Sequence, residues 1–262
     1  MAVQPEPPLL EVESLTMAFG GLVAVSQFNL RLERGELVAL IGPNGAGKTT
    51  VFNCLTGVYT PTAGSIRLRG RNIVGWPPHR VARAGVARTF QNIRLFRDLE
   101  VLDNVRIAAH LRQQATLAEA ILRLPRFRRE ERRLAAEAYE LLELVGLSHR
   151  AHQLAKTLPY GEQRRLEIAR ALATHPVLLL LDEPAAGMNP QETDTLTGLI
   201  DLIRDRFGLT ILLIEHDMRL VMRIAPRILV LDYGQTIAEG SPEQIRTDPR
   251  VIQAYLGEEA VG

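Results

Sequence analysis

The stretch GPNGAGKT, residues 42–49, decides how the rest of the chain is interpreted. It fits the pattern G-x-x-x-x-G-K-[ST] in full, follows the apolar run LVALI and precedes a segment that we expect to be helical. Its glycines let successive backbone N–H groups point at phosphate oxygens, and the helix adds the positive end of its dipole. The stretch therefore predicts a phosphate-binding loop for a nucleotide.

The side chains of this loop have separate predicted tasks. Lys48 is expected to reach the β- and γ-phosphates, and Thr49 to offer its hydroxyl to Mg²⁺. The only other lysine in the chain is Lys156, since the remaining basic residues are arginines. The predicted nucleotide contacts are the whole loop and the threonine that follows it: Gly42, Pro43, Asn44, Gly45, Ala46, Gly47, Lys48, Thr49 and Thr50.

A second motif, LLLLDEP at 178–184, supplies two carboxylates. Four apolar residues predict a buried strand, and Asp182 follows at its carboxyl end. Doubly wound parallel sheets bind ligands at that end of their strands. We expect Asp182 to hold Mg²⁺ through water and Glu183 to polarise a water molecule for attack on the γ-phosphate. Paired acids after a strand can also cap a helix, but Pro184 and the upstream loop argue against that alternative.

Two further polar residues follow apolar runs. Gln91 comes after the strand-like GVARTF, and its amide can coordinate Mg²⁺ or orient water. His216 comes after TILLI and could reach the γ-phosphate if its strand belongs to the same sheet. Taken alone, each residue is more simply an exposed strand end or a helix cap. A functional role for either one therefore requires that its strand lie in the same sheet as the phosphate loop.

The pattern of the chain predicts strands that alternate with helices, and hence a mostly parallel sheet with right-handed crossovers. The predicted elements are strands within 9–41, a helix from Thr49 to about Leu55, a strand in SIRLRG, helices between 100 and 156, a helix after Gly161, a strand at 177–181, a helix at about 191–206, a strand at 210–214, a helix, and a strand at 227–232. We interpret residues 1–262 as a single domain. Its α/β core comprises 9–91 and 161–257, and a helical subdomain at 92–160 interrupts it.

Composition limits the classes of protein further. The net charge of +1 gives no argument for nucleic acid as a partner. The single cysteine, Cys54, lies in an apolar stretch and is expected to be buried rather than reactive. No apolar run approaches the roughly 20 residues that span a bilayer, and the first residues do not resemble a signal peptide. We therefore expect a soluble, cytosolic chain that only other proteins could hold at a membrane.

The strongest cluster of charge is RLPRFRREERR at 123–133, with six arginines. It could form a patch for phosphate or lipid headgroups. The favoured interpretation is a solvated helix start whose arginines have glutamate partners nearby.

The stretch TLPYGEQRRLEIARAL, 157–172, contains no nucleophile or metal-ligand set, yet places a glycine turn before an Arg-rich helix. Together with the motifs above, it resembles the ATP-binding cassettes of ABC transporters over residues 9–257. In that family an L-S-G-G-Q-type segment closes over the γ-phosphate of ATP held by a partner chain. The resemblance implies that Gly161, with Tyr160, Glu162 and Gln163 beside it, contacts ATP across a head-to-tail dimer.

This segment departs from the family pattern at two positions. Pro159 stands at the usual serine and has neither hydroxyl nor N–H, and Tyr160 stands at the first glycine. One contact to the partner's phosphate is therefore missing, and losing a hydrogen bond to a charged group costs about 1.5–3 kcal/mol.

The resemblance also implies the fold and the remaining site residues. The fold would be that of a RecA-like P-loop NTPase: an α/β mixed-sheet core with an antiparallel β subdomain and an inserted α-helical subdomain. Phe19 would stack on adenine, although a core phenylalanine is the alternative. Glu183 would be the general base, His216 the switch histidine and Gln91 the glutamine-loop residue. The cofactors would be ATP and Mg²⁺, with Thr49, Gln91 and Asp182 on the metal. In AAGMNP, a segment that crosses to the partner, Asn189 stands where aspartate is common.

Within the family, the chain is most similar to the larger ATPase of branched-chain amino acid importers. The stretches that carry this likeness are GVARTFQNIRLFRDLEVLDNV (85–105), RFRREERR, LPYGEQRRLEIARAL, LDEPAAGMNP and IAEGSPEQIRTDPRVIQAYLG (237–257). ATPases for urea or amide uptake and for lipopolysaccharide export look similar. The implied partners are a second cassette, identical or different, two transmembrane permease subunits and, indirectly, a solute-binding protein. The implied location is the cytoplasmic face of the inner membrane.

Three other classes of protein remain as alternatives. A soluble cassette acting on ribosomes or DNA usually carries tandem cassettes or long coiled-coil inserts, and this chain has one cassette and a short insert. A P-loop kinase would need a lid and an acceptor site, and a GTPase would need an N-K-x-D-type guanine reader, which does not occur. A regulatory cassette with weak hydrolysis is disfavoured by the intact Glu183 and His216.

Overall fold

The computed structural model describes residues 7–112, 119, 122 and 124–259, with the backbone alone for 256–259. Its strands form two sheets. The strands are β1 Leu10–Phe19, β2 Leu22–Leu32, β3 Leu37–Ile41, β4 Ala63–Leu68, β5 Arg71–Asn72, β6 Val86–Arg88, β7 Leu178–Asp182, β8 Thr210–Ile214, β9 Arg227–Asp232 and β10 Gln235–Gly240.

Helices cover both sides of the larger sheet. The α-helices are α1 Lys48–Leu55, α2 Pro78–Arg83, α3 Val101–Ala109, α4 Pro125–Leu144, α5 Tyr160–Leu172, α6 Pro190–Phe207, α7 Met218–Ile224, α8 Pro242–Thr247 and α9 Pro249–Glu259. Short 3₁₀ turns occur at His110–Arg112, Ser148–Arg150 and Ala155–Thr157. None of the helices in the described ranges is long and apolar enough to cross a bilayer.

The larger sheet has six strands in the order β10-β9-β3-β8-β7-β6. All neighbouring pairs are parallel except β9 and β10. Runs such as LVALI and TILLI are buried on both faces, which explains why they are continuously apolar rather than alternating. Successive residues of β3 enter different cores: Ala39 packs with the layer of helices α3 to α7, and Leu40 packs with α1 and the smaller sheet.

The smaller sheet is antiparallel, in the order β2-β1-β4-β5. Its strands alternate apolar and polar residues because only one face meets the core. Phe28, Leu30 and Leu32 of β2 are buried, whereas Asn29 and Arg31 between them are exposed. The mixed larger sheet, the antiparallel smaller sheet and the covering helices confirm the predicted fold class.

Helices α3, α4 and α5 pack against one another beside the larger sheet. One face of α4 supplies Leu134, Ala138, Leu141 and Leu142 to the core, at the three- and four-residue spacing of an amphipathic helix. Because α5 contacts both α3 and α4, the helical group continues past the predicted boundary at residue 160 without a break in packing. That boundary stays a prediction.

Arginines line the exposed first turns of α4. These are Arg126, Arg128, Arg129, Arg132 and Arg133. Arg126 pairs with Glu119, in agreement with the solvated helix start that we favoured. The sixth arginine of the cluster, Arg123, lies outside the described residues.

Two element predictions need correction. Helix α1 begins at Lys48 rather than Thr49, because Gly47 has a left-handed backbone and acts as the N-cap. Strand β10, in GQTIAEG, was not predicted, since its glycines and polar residues hide the alternation. It pairs with β9 across a two-residue turn in which Tyr233 and Gly234 both have positive φ, the geometry typical of a tight hairpin.

Candidate nucleotide site

The phosphate loop joins the end of β3 to the start of α1, at the centre of the larger sheet. Gly42 has φ +147° and Gly47 has φ +102°, values that side chains disfavour. A Cβ at Gly42 would overlap the carbonyl oxygen of Leu231, and one at Gly47 would lie 2.5 Å from the carbonyl oxygen of Ala24. Only glycine allows the loop to curl this tightly.

The first turn of α1 is suited to an anion. No side chain caps its N–H groups, and its first turn contains no acidic residue. Lys48 is buried, and its ammonium lies 2.6 Å from the carbonyl oxygen of Gly42 and 2.8 Å from that of Pro43, so the cation sits within the loop. Thr49 is exposed beside it. These residues fit the phosphate groups of a nucleotide by backbone donors, helix dipole and charge.

Glu183 is the point at which the predicted catalytic residues meet. The Gln91 amide nitrogen donates to Glu183 Oε2 at 2.6 Å, and His216 Nε2 lies 2.6 Å from Glu183 Oε1. A carboxylate oxygen only accepts, so Nε2 carries the hydrogen of that contact. The three residues follow β6, β7 and β8, which are neighbouring parallel strands, so their carboxyl ends share one edge. Glu183 itself has φ +46°, a left-handed conformation that is rare for a non-glycine residue.

Asp182 has a partner that the sequence analysis missed. Arg88, at the end of β6, forms an ion pair with Asp182 at 2.7 Å, and both side chains are 6% exposed. The same guanidinium donates to Asn53 Oδ1 on α1 at 2.7 Å. Arg88 therefore ties the carboxylate to the helix of the phosphate loop. Its only sequence signal was an arginine in an otherwise apolar strand.

The residues proposed for Mg²⁺ form a sparse set. Among the described residues, no group of three or more His, Cys, Asp or Glu side chains is placed to hold a metal. Mg²⁺ is commonly held by one or two protein oxygens, with phosphate and water completing the shell. Asp182, linked through Arg88 to α1, and Thr49, in the first turn of α1, supply oxygens of this kind. The Gln91 amide bonds to Glu183, the residue that follows Asp182.

Phe19 ends β1 and is 42% exposed, so it is not a core residue. Its ring meets Tyr59 edge-on, with ring centres 5.2 Å apart. Tyr59 supports the ring from one side and leaves it open to solvent, as stacking on a base would require. The alternative of a core phenylalanine is wrong, and stacking on adenine stays a prediction.

The L-S-G-G-Q-type segment forms the start of α5, after Pro159 as N-cap. No side chain caps this helix. Glu162 forms an ion pair with Arg150 at 2.7 Å, and the Gln163 amide donates to the carbonyl oxygen of Leu158 at 2.8 Å. The side chains of Glu162 and Gln163 therefore hold the start of α5 by contacts within the same chain.

Gly161 is buried beneath the start of α6. A Cβ there would lie 2.7 Å from Glu192 Oε1, so a larger residue would require the Glu192 side chain to shift. Glu192 is held by a capping box, in which its carboxylate accepts from the Asn189 N–H and the Asn189 side chain accepts from the Glu192 N–H. Contact between Gly161 and a nucleotide on another chain requires the Glu192 side chain to swing aside.

Glu215 is a second residue that the sequence analysis missed. It is buried, and its carboxylate accepts from the backbone N–H groups of Ala185 at 2.7 Å and His216 at 3.1 Å. Burial is the main cause that raises the pKa of this carboxyl, and the backbone donors oppose it. Glu215 thus fixes the backbone just after Glu183 and at His216 itself. It was passed over because it lies between an apolar strand and the more conspicuous histidine.

Comparison with known proteins places this geometry in a family. Residues 25–186 match the family model described as ABC transporter. The chain is 54% identical over 251 residues to the high-affinity branched-chain amino acid transport ATP-binding protein BraF of Pseudomonas aeruginosa, covering 96% of this chain and 98% of that protein. The chain belongs to the ABC transporter family. It is an ATP-binding cassette, and we refer to it below as the cassette.

Further relatives agree with this assignment. The cassette is 53% identical to LivG of Escherichia coli K12 over the same shares of both chains, and residues 235–261 match the model described as Branched-chain amino acid ATP-binding cassette transporter. It is 36% identical to the lipopolysaccharide export protein LptB of Haemophilus influenzae. Among solved structures, the ADP conformation of MJ1267, an ATP-binding cassette of an ABC transporter, superposes with a TM-score of 0.83 at 28% identity and covers 96% of this chain and 99% of that one.

Proposed function

We propose that the cassette is the ATP-hydrolysing subunit of an importer for branched-chain amino acids. The observation that carries the enzymatic part is the meeting of Gln91 and His216 on the carboxylate of Glu183, beside the phosphate loop. The solute is inferred from the high identity to BraF and LivG and from the match of residues 235–261.

ATP binds through the phosphate loop. The backbone N–H groups of residues 44–50 and the Lys48 ammonium hold its phosphates, and Phe19 stacks on the adenine. Asp182 and the Thr49 hydroxyl would hold Mg²⁺, which supplies charge neutralisation at the β- and γ-phosphates when bound. Arg88 keeps the Asp182 carboxylate facing α1.

Hydrolysis depends on Glu183. Its carboxylate accepts hydrogen bonds from Gln91 and His216, which fix both oxygens in place. When the Gln91 amide orients a water molecule toward Oε2, the carboxylate can take its proton, while His216 steadies Oε1 and faces the γ-phosphate. This arrangement performs general base catalysis by a positioned carboxylate.

The cassette acts within a larger assembly. A second cassette, identical or different, packs head-to-tail and contributes its own L-S-G-G-Q-type segment to the ATP held here. Two transmembrane permease subunits dock at the helical subdomain, 92–160, near Gln91, and a solute-binding protein delivers the amino acid. This places the cassette at the cytoplasmic face of the inner membrane, with closure of the dimer driving the permeases.

Two other transported classes are tested against this proposal. The similarity to LptB at 36% identity keeps lipopolysaccharide export as an alternative, and urea or amide uptake is the other. Uptake assays with leucine, urea and a short-chain amide, together with a lipopolysaccharide export assay, distinguish them in a strain that lacks the cassette. Restoration of leucine uptake alone by the cassette's gene supports the proposal.

The experiment for the enzymatic part is the substitution Glu183→Gln. It keeps the size of the side chain and removes the base, so hydrolysis should fall about 100-fold or more while ATP binding persists. Glu243→Gln, on exposed α8, is the matched control and should hydrolyse ATP at the normal rate. Unchanged hydrolysis by the Glu183 variant would show that another group activates the water.

A further inference from the structure

Arg164 lies on the second turn of α5 and is buried, with 3% of its side chain exposed. Its guanidinium donates to three oxygens. One nitrogen donates to the carbonyl oxygen of Phe90 at 2.6 Å, and the other donates to the carbonyl oxygen of Gln91 and to the Tyr160 hydroxyl, the latter at 2.9 Å. The fork thus holds two successive backbone carbonyls of the segment that carries Gln91.

The same segment reaches the catalytic carboxylate by its side chain. Gln91 is bound by Arg164 through its backbone and donates to Glu183 through its amide. A continuous series of hydrogen bonds therefore runs from Tyr160 through Arg164 and Gln91 to Glu183. It joins the start of α5 to the carboxyl end of β7.

Tyr160 stands where the family pattern has a glycine, so it adds a side chain at this position. Its ring lies against Gly187, where a Cβ would be 3.4 Å from Tyr160 Cε1. The Arg164 guanidinium lies 5.3 Å from the centre of the Tyr160 ring as well as within hydrogen-bond distance of its hydroxyl. The tyrosine therefore fixes Arg164 from one side and rests on the AAGMNP segment on the other.

The charge of Arg164 is balanced locally. Glu167, one turn further along α5, lies 3.5 Å from Arg164 and is equally buried. Its other oxygen accepts from the backbone N–H of Arg94 at 3.4 Å. Glu167 thus neutralises the fork and holds the far end of the same segment, so that both ends of residues 90–94 are tied to α5.

We propose that Arg164 is a positioning residue for hydrolysis: its fork, oriented by the Tyr160 hydroxyl, sets where the Gln91 amide stands relative to Glu183. The inference rests on the proposed roles of Gln91 and Glu183. It gives Tyr160 a task that glycine at this position could not perform. It also means that a displacement of the start of α5 is transmitted to the base in the same chain.

The geometry selects the test variants. Arg164→Lys keeps the positive charge beside Glu167, but a single ammonium cannot bind two carbonyls and a phenol in the planar arrangement of a guanidinium. Tyr160→Phe keeps the ring on Gly187 and removes only the hydroxyl. Arg165→Lys, the next residue on α5, is the matched control, since no described contact joins Arg165 to the Gln91 segment.

The measurement is steady-state hydrolysis of ATP by the full-length cassette, purified with the membrane proteins that it retains in mild detergent. Arg164→Lys should lower kcat about tenfold and leave KM for ATP within about twofold, because the phosphate loop is untouched. Tyr160→Phe should lower kcat by a smaller factor, and Arg165→Lys should match the wild type. A change in KM with kcat unchanged would overturn the inference.

A double-mutant cycle separates positioning from structure. In a Gln91→Ala background, Arg164→Lys should have no further effect on kcat, since the group that it positions is gone. An equal loss in both backgrounds would show that Arg164 acts independently of Gln91 and would overturn the inference. If Gln91→Ala and Glu183→Gln both leave kcat unchanged, the proposed function fails instead, and the two failures are thereby distinguished.

Amide hydrogen exchange supplies a readout that does not depend on activity. Arg164→Lys should speed exchange in residues 90–94 while the peptide of α1 exchanges as in the wild type. Faster exchange spread evenly over the whole chain would show a general loss of stability and would overturn the positioning role.

Discussion

At the scale of single residues, Lys48 places a buried cation inside the phosphate loop. Its ammonium lies among the carbonyl oxygens of the loop, where a phosphate oxygen is its natural acidic partner. Lys48→Ala should weaken ATP binding about 10- to 100-fold, as expected for the loss of a hydrogen bond to a charged group. Calorimetric titration with ATP checks this.

Lys156 is the control for that measurement. It is the only other lysine, it is partly exposed and its ammonium pairs with Asp98 at 2.8 Å, in the segment before α5. Lys156→Ala should bind ATP like the wild type. Equal affinities for ATP in the wild type and both variants would remove Lys48 from the nucleotide site.

The buried environment of Cys54 lowers the reactivity of its thiol. Burial raises the pKa of its thiol to about 11, and the side chain is 3% exposed. The thiolate is the reactive form, so at pH 8 a shift from the usual 9.0 to about 11 leaves about 100-fold less of it. Alkylation by iodoacetamide should be at least that much slower in the folded chain than in guanidinium.

The raised pKa of Cys54 also determines how the free energy of unfolding changes with pH. Below pH 9 the thiol is protonated in both the folded and unfolded chain, and between pH 9 and about 11 the unfolded thiol ionises first. The contribution of Cys54 to the free energy of unfolding should therefore be lost as the pH rises through that window. A Cys54→Ala variant with the same pH profile as the wild type would contradict this assignment.

Single residues could be predicted from the sequence where they belong to a motif that indicates a chemical role. The structure brings Gln91, Glu183 and His216 together, although their catalytic roles stay predictions. Arg88 and Arg164 were not found because each acts through a partner that is distant in the chain. Arg88 meets Asp182 and Arg164 meets Phe90 only after the strands are ordered, and no local pattern encodes those pairs.

At the scale of elements, the capping box of α6 connects local stability to the Gly161 surface. Asn189 caps the helix, and the reciprocal bond holds Glu192 over Gly161. Asn189→Ala should lower the free energy of unfolding by about 1 kcal/mol, whereas Asn189→Asp should keep the cap because its carboxylate also accepts from the backbone. Urea denaturation of both variants measures this, and an equal loss of stability in the two would show that the loss does not come from the side-chain cap.

Element prediction was accurate where a strand is an unbroken apolar run. The apolar runs of β3, β7, β8 and β9 were found within a residue or two because strands buried on both faces are continuously apolar. Strand β10 was not predicted because polar residues and glycines interrupt its alternation of apolar and polar residues. The order of strands in the sheet could not be predicted, since pairing depends on crossovers rather than on any strand's own residues.

At the scale of the whole molecule, the start of α5 predicts assembly, because no side chain caps it and Pro159 and Tyr160 are exposed. Glu183→Gln should retain ATP and so hold two cassettes closed, whether the partner is identical or different. Size-exclusion chromatography of this variant with its partner should show an ATP-dependent shift to the dimer, and Lys48→Ala/Glu183→Gln should show none. An absence of any shift with ATP in the single variant would count against closure across the dimer.

The central claim is that hydrolysis at Glu183 drives uptake of branched-chain amino acids. The most direct test tags the cassette in its own cell, purifies the assembly in mild detergent, reconstitutes it in liposomes and measures ATP-driven uptake of radiolabelled leucine. The account predicts that two multi-span proteins and a second cassette copurify, and that leucine uptake occurs with wild type and stops with Glu183→Gln. Copurification with ribosomal or DNA-repair proteins alone, or leucine uptake that persists with Glu183→Gln, would contradict it.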